Sequence, residues 1–90
     1  MPRYVIERDF PDEFRITLDD QGVRICPSYA EVNRNESVVW LHSYVSQDKK
    51  KTFCICEAPS PEAIRRAATR NKLPVTRITE VLMLDPFFYR

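Results

Sequence analysis

The clearest signal in the chain is a pair of alternating stretches joined by a short charged connection. Ser37 to Ser46 (SVVWLHSYVS) is rich in β-branched and aromatic residues and separates into two faces. With strict period-two alternation, Val39, Leu41, Ser43 and Val45 fall on one face, and Trp40, His42 and Tyr44 on the other. After Gln47-Asp48-Lys49-Lys50, the run Lys51 to Glu57 (KTFCICE) alternates again, opposing Thr52, Cys54 and Cys56 to Phe53, Ile55 and Glu57. So short a polar connection predicts an antiparallel hairpin. Arg3 to Arg8 (RYVIER) predicts an earlier strand with Tyr4 and Ile6 on one face and Val5 and Glu7 on the other. Pro11, which has no N–H to give a sheet ladder, lies beyond its end. Val75 to Leu84 (VTRITEVLML) predicts a long final strand before Asp85-Pro86.

Helical spacing takes over after Ala58. Ser60 is placed to cap, Pro61 occupies the first turn where its missing N–H costs nothing, and Glu62 complements the helix dipole. Ile64, Ala67 and Ala68 make a narrow apolar stripe, Arg65, Arg66 and Arg70 face outward, and Asn71-Lys72 with Pro74 ends the helix. Between Asp12 and Asn35 the pattern is weaker. Thr17 and Asp20 have capping spacing, and Leu18, Val23, Cys26 and Ala30 recur at roughly helical intervals. The expectation there is a helix kinked or split near Pro27, since an interior proline costs about 3 kcal/mol. Strand, helix, strand, strand, helix, strand is the ferredoxin-like α+β order, βαββαβ. It predicts a four-stranded antiparallel sheet with both helices on one face, as in dimeric α+β barrels.

Composition narrows the function more than the fold. Ninety residues make a single domain, 1–90, and 43% hydrophobic with 30% charged residues suits a folded globular chain. Fourteen Lys and Arg against thirteen Asp and Glu leave a net charge of +1, which gives no electrostatic footprint for nucleic acid or an anionic membrane. No apolar run approaches the roughly 20 residues of a membrane span, and the N-terminus has no apolar signal core, so a cytoplasmic protein is expected. Cys26, Cys54 and Cys56 lack zinc-site spacing and are read as reduced, structural thiols. Phosphate-loop and nucleophile-elbow motifs are missing from the sequence.

One face of the expected sheet has no element left to cover it, and it is expected to hold Trp40, His42 and Tyr44 with Phe53 and Ile55. An uncovered aromatic patch marks an interface or a ligand site. The expected partner is a second copy of the same sheet, with no nucleic acid and no membrane. Within that face Trp40, His42, Tyr44, Arg8 and Glu57 are the candidate ligand-binding residues. His42 suits ligand binding or proton transfer, since an imidazole titrates near neutral pH. Glu57 could orient it or pair with Arg8. Lys49-Lys50-Lys51 reads as a solvated hairpin tip.

The runs WLHSYV, KTFCICEAPSPEAIRRAA and LPVTRITEV resemble a family of small bacterial proteins known as nickel-binding-protein-like, a domain of unknown function. The resemblance covers Arg3 to Arg8 and Val38 to Pro86 and is most specific at the E-A-P-S-P-E-A step. It implies ferredoxin-like dimers and makes nickel a possible cofactor. Nickel-binding members are histidine-rich near the first strand and around the second helix, where this chain has Glu7-Arg8 and Arg70-Asn71-Lys72. The metal ligand it leaves here is His42, which requires either a site shared across a dimer or help from Glu57, Glu7 or a cysteine thiolate. The expected function is a small-ligand or metal-ion (nickel-type) binding domain acting as a homodimer. The alternatives are a cofactor-free enzyme of the dimeric α+β barrel kind, with His42 as base, and a non-catalytic interaction module.

Overall fold

A computed structural model describes residues 1–11 and 29–87 of the chain. Strand β1 is Arg3–Asp9, a helical segment α1 covers 29–35, and β2 and β3 are Val39–Val45 and Lys51–Glu57. Helix α2 is Pro61–Asn71 and β4 is Arg77–Val81. The expected helix start at Thr17, the kink near Pro27 and the place of Cys26 lie outside the described residues. The strands form one antiparallel sheet in the order β2-β3-β1-β4. This is the ferredoxin-like α+β arrangement that the hydrophobic pattern predicts.

Helix α2 begins as its sequence dictates. The Ser60 hydroxyl accepts the Ala63 N–H at 3.3 Å, and Pro61 sits in the first turn. Its other end has no glycine, so Lys72 itself turns left-handed at φ 58° and gives its N–H to the Ala68 and Thr69 carbonyls. The stripe Ala63, Ile64, Ala67 packs on Tyr4, Ile6 and Cys56, forming one core between helix and sheet. Small residues on the helix let it approach closely, and burying Ile64 contributes about 1.5–3 kcal/mol. Helix α1 lies on the same side. Glu36, just past its end, takes hydrogen bonds from Arg66 at 3.0 Å and Arg70 at 3.2 Å, and Asn71 donates to Asn33 at 3.4 Å.

Two expectations are corrected. The last strand is shorter than Val75 to Leu84. Arg3, the first residue of β1, pairs with Val81, and the residue before it is Pro2, which has no N–H to extend the ladder toward Leu82. At the other end Thr76 anchors a loop: its hydroxyl donates to Asp9 Oδ2 at 2.8 Å and accepts the Asp9 N–H at 3.1 Å.

The second correction changes the site. Strand β2 does not alternate strictly, because Trp40 pairs with Cys56 while His42 pairs with Ile55, which leaves Leu41 as an extra residue. A one-residue bulge exchanges faces on either side of it. Val39, opposite Glu57, therefore turns to the open face, and Trp40 turns under the helices. His42 and Tyr44 keep the open face, while Ser43 and Val45 pair with Cys54 and Thr52 on the helix side.

Candidate functional site

The residues expected to form one ligand face are divided between two. On the open face, cross-strand pairing aligns Tyr44, Phe53, Glu7 and Arg77 in one row. The next rows are His42, Ile55, Val5 and Thr79, and then Val39, Glu57, Arg3 and Val81. The His42 and Tyr44 rings meet edge to face, with centroids 5.2 Å apart and planes at 88°. Tyr44 is 62% exposed and Val39 44%, and His42 is exposed as well. Phe53, Ile55 and Val5 between the edge strands are half-buried. Helix α2 packs on the opposite face, and on this one the Lys51 ammonium lies over the Phe53 ring, 6.0 Å from its centroid.

The expected metal ligands share the face but do not converge. Glu57 stands diagonally from His42, and Arg3 holds its carboxylate at 3.3 Å. Glu7 lies on the far side of β3, about 10 Å from β2 across two strand spacings. Among the described residues no three His, Cys, Asp or Glu side chains come close enough together to hold an ion. A nickel site at N and O donors needs several ligands in defined geometry, and one copy of these residues does not supply it.

Trp40 and Arg8 leave the candidate set on the open face. Arg8 pairs with Thr52 and shares the buried parity of Tyr4 and Ile6, so it points under the helices and not toward His42 or Glu57. Trp40 donates its indole N–H to Ser43 Oγ at 2.8 Å and packs against the core cluster. Both line a partly open cavity of about 140 Å³ on the helix side of the sheet, with Cys54, Cys56 and Thr52. Burial pushes the Cys56 thiol up to about 12, with Cys54 adding to the effect and Arg8 opposing it. At neutral pH it is a protonated, free thiol beneath the helix, as the sequence reading expected of Cys54 and Cys56.

The sequence reading missed the cavity, although one signal for it was present. In RYVIER the residues Tyr4, Ile6 and Arg8 share one parity, so placing the first two in the core places the third there also. No comparable signal marks the bulge, because both faces of SVVWLHSYVS carry apolar residues.

Comparison with known proteins bears on this geometry. Residues 4–81 match the family described as nickel responsive protein SCO4226-like, in agreement with the resemblance carried by WLHSYV and EAPSPEA. The crystal structure of SCO4226 from Streptomyces coelicolor A3(2) superposes with a TM-score of 0.71 at 20% identity, covering 90% of this chain and 96% of that one. At that identity the likeness is one of fold. None of the curated proteins matches the sequence.

Proposed function

This chain belongs to the SCO4226-like family of nickel-responsive proteins, and we propose that it is a small-ligand or metal-ion binding domain acting as a homodimer. The observation that carries the reading is the uncovered face. Tyr44, Val39 and His42 stand exposed beside half-buried Phe53, Ile55 and Val5, with no described element above them. A second copy of the same sheet is the natural cover. A stable interface buries about 600 Å² or more per partner. That is roughly a tenth of the 6629 Å² this chain exposes, within reach of a sheet face.

Dimerisation also bears on metal. Each chain brings one histidine, and facing sheets bring two copies of His42 toward a common seam, with Glu57 or Glu7 as carboxylate donors. Any nickel site on this reading belongs to the pair and not to either chain. With so few imidazoles it is a weak one, since carboxylates and water give little selectivity for nickel.

Sedimentation at micromolar concentration tests the assembly, and calorimetric titration with Ni²⁺ and Zn²⁺ tests the site. The expected results are a dimer and weak binding of one ion per two chains, abolished in His42→Ala. A monomer at that concentration would count decisively against the assembly. One ion per chain that survives His42→Ala would overturn the shared site.

A further inference from the structure

The cavity is lined by a cation to which no described residue supplies a counter-charge. Arg8 is 7% exposed, and its Nε and Nη1 are buried without a hydrogen-bond partner. Beside it the Thr52 hydroxyl, 1% exposed, is also unpartnered. Among the described residues no carboxylate pairs with Arg8, and none lines the cavity. Burying a charge and a hydroxyl away from water is costly unless partners are supplied, and a guanidinium is never relieved by losing its proton. The remaining described walls are mostly apolar, including Ile6, Trp40, Ile64 and Leu73, and their polar members pair with one another or with Trp40: Ser43 accepts the Trp40 indole N–H and Asn71 donates to Asn33.

We propose that this cavity is a binding site for a small monocarboxylate with a ring-sized apolar body, its carboxylate on Arg8 and Thr52. Three features choose that class. Arg8 is the one guanidinium among the described lining residues and calls for one negative charge, and carboxylate oxygens accept charge-assisted hydrogen bonds from Arg and an ordinary one from a threonine hydroxyl. The mostly apolar walls disfavour a fully hydrated ion such as phosphate, because Ser43, Asn33 and Asn71 are already engaged in hydrogen bonds and most of its oxygens would go unpaired. The volume, about 140 Å³, is close to the roughly 150 Å³ of an engineered apolar cavity that binds benzene. The inference does not rest on the dimer reading, because the cavity lies on the opposite side of the sheet from Tyr44 and His42.

Trp40 supplies the readout. It is the single tryptophan of the chain, and its side chain lines the cavity, so one indole N–H resonance in a ¹⁵N-labelled sample reports on occupancy. Three probes are titrated into the full chain: benzoate, benzyl alcohol as its neutral ring-matched counterpart, and inorganic phosphate as charge without a ring. Benzoate is expected to move the indole resonance saturably, with benzyl alcohol at least tenfold weaker and phosphate without effect. Arg8→Met is expected to weaken benzoate at least tenfold and to leave benzyl alcohol unchanged. Should Arg8→Met not fold, Arg8→Gln, which keeps a polar head without charge, carries the same expectations. No saturable shift with benzoate, equal binding of benzoate and benzyl alcohol, or undiminished benzoate binding in the Arg8 variant would each overturn the proposal.

Discussion

Trp40 and Tyr44 stand four positions apart in one strand, and the bulge at Leu41 assigns them opposite work. Truncating each therefore has a different signature. Trp→Ala in a fully buried setting costs about 3–5 kcal/mol. Trp40 is half-buried, which cuts that figure, but the change also removes the indole hydrogen bond to Ser43, worth about 1 kcal/mol. We expect Trp40→Ala to destabilise the fold by about 2–4 kcal/mol. In a domain of this size each kcal/mol moves the melting midpoint by roughly 4–8 °C, so the midpoint should fall by roughly 8–30 °C. That is a large part of the stability available to 90 residues, about 4–13 kcal/mol.

Tyr44→Ala removes a ring that is 62% exposed and should cost the isolated chain less than 1 kcal/mol. Its effect should lie in association, since aromatic anchors dominate interface energetics. Thermal melts at two protein concentrations separate the contributions, because a midpoint coupled to dimerisation rises with concentration. The wild type and a folded Trp40 variant should keep that dependence, and Tyr44→Ala should lose it. If Trp40→Ala abolished the concentration dependence while leaving the dilute midpoint unchanged, the bulge would be misplaced. The strand would then alternate as its sequence first suggests.

Three further outcomes are expected. The two arginines that donate to Glu36 hold its carboxyl below the usual carboxylate range, so its contribution to stability is present above the unfolded pKa and lost as pH falls through the depressed folded one. Glu36→Gln should flatten the acid limb of a stability-against-pH curve, and an unchanged limb would refute the role. With its pKa near 12 and 4% exposure, Cys56 should resist a thiol reagent in native protein at pH 8 and react fully only after unfolding; prompt native labelling would contradict its placement. Lys72→Gly should raise stability by about 1 kcal/mol in urea titration, since it relieves a left-handed residue with a Cβ at the end of α2.

Much of the fold was legible because its signals are local. Ser60-Pro61 starts α2 by satisfying, or not needing, the first N–H groups, and KTFCICE alternates without interruption, so both were readable to the residue. The overlong final strand was misread for a reason outside its own sequence. VTRITEVLML alternates to its end, but a strand extends only as far as its neighbour pairs, and β1 begins at Arg3 after Pro2, which cannot donate to the ladder. Exposed Leu82 and Leu84, at 89% and 71%, are the result.

The site was less legible because it depends on parity. Alternation assigns every residue of a strand from one reference position, so a single extra residue reverses all assignments beyond it. A polar residue stranded on an apolar face usually exposes such a slip. Here Ser43 falls on the helix side, but it answers the Trp40 indole and costs nothing there. On the open side Val39 is as apolar as the Leu41 it displaces from the pattern. The bulge is therefore silent in composition and decisive in space. It delivers Trp40 to the cavity lined by Arg8, whose Nε and Nη1 have no partner among the described residues, and it leaves His42 and Tyr44 on the open face. One residue, Leu41, thus divides what the sequence presented as a single ligand face between the cavity under the helices, proposed as a ligand site, and the open face, proposed to pair with a second chain.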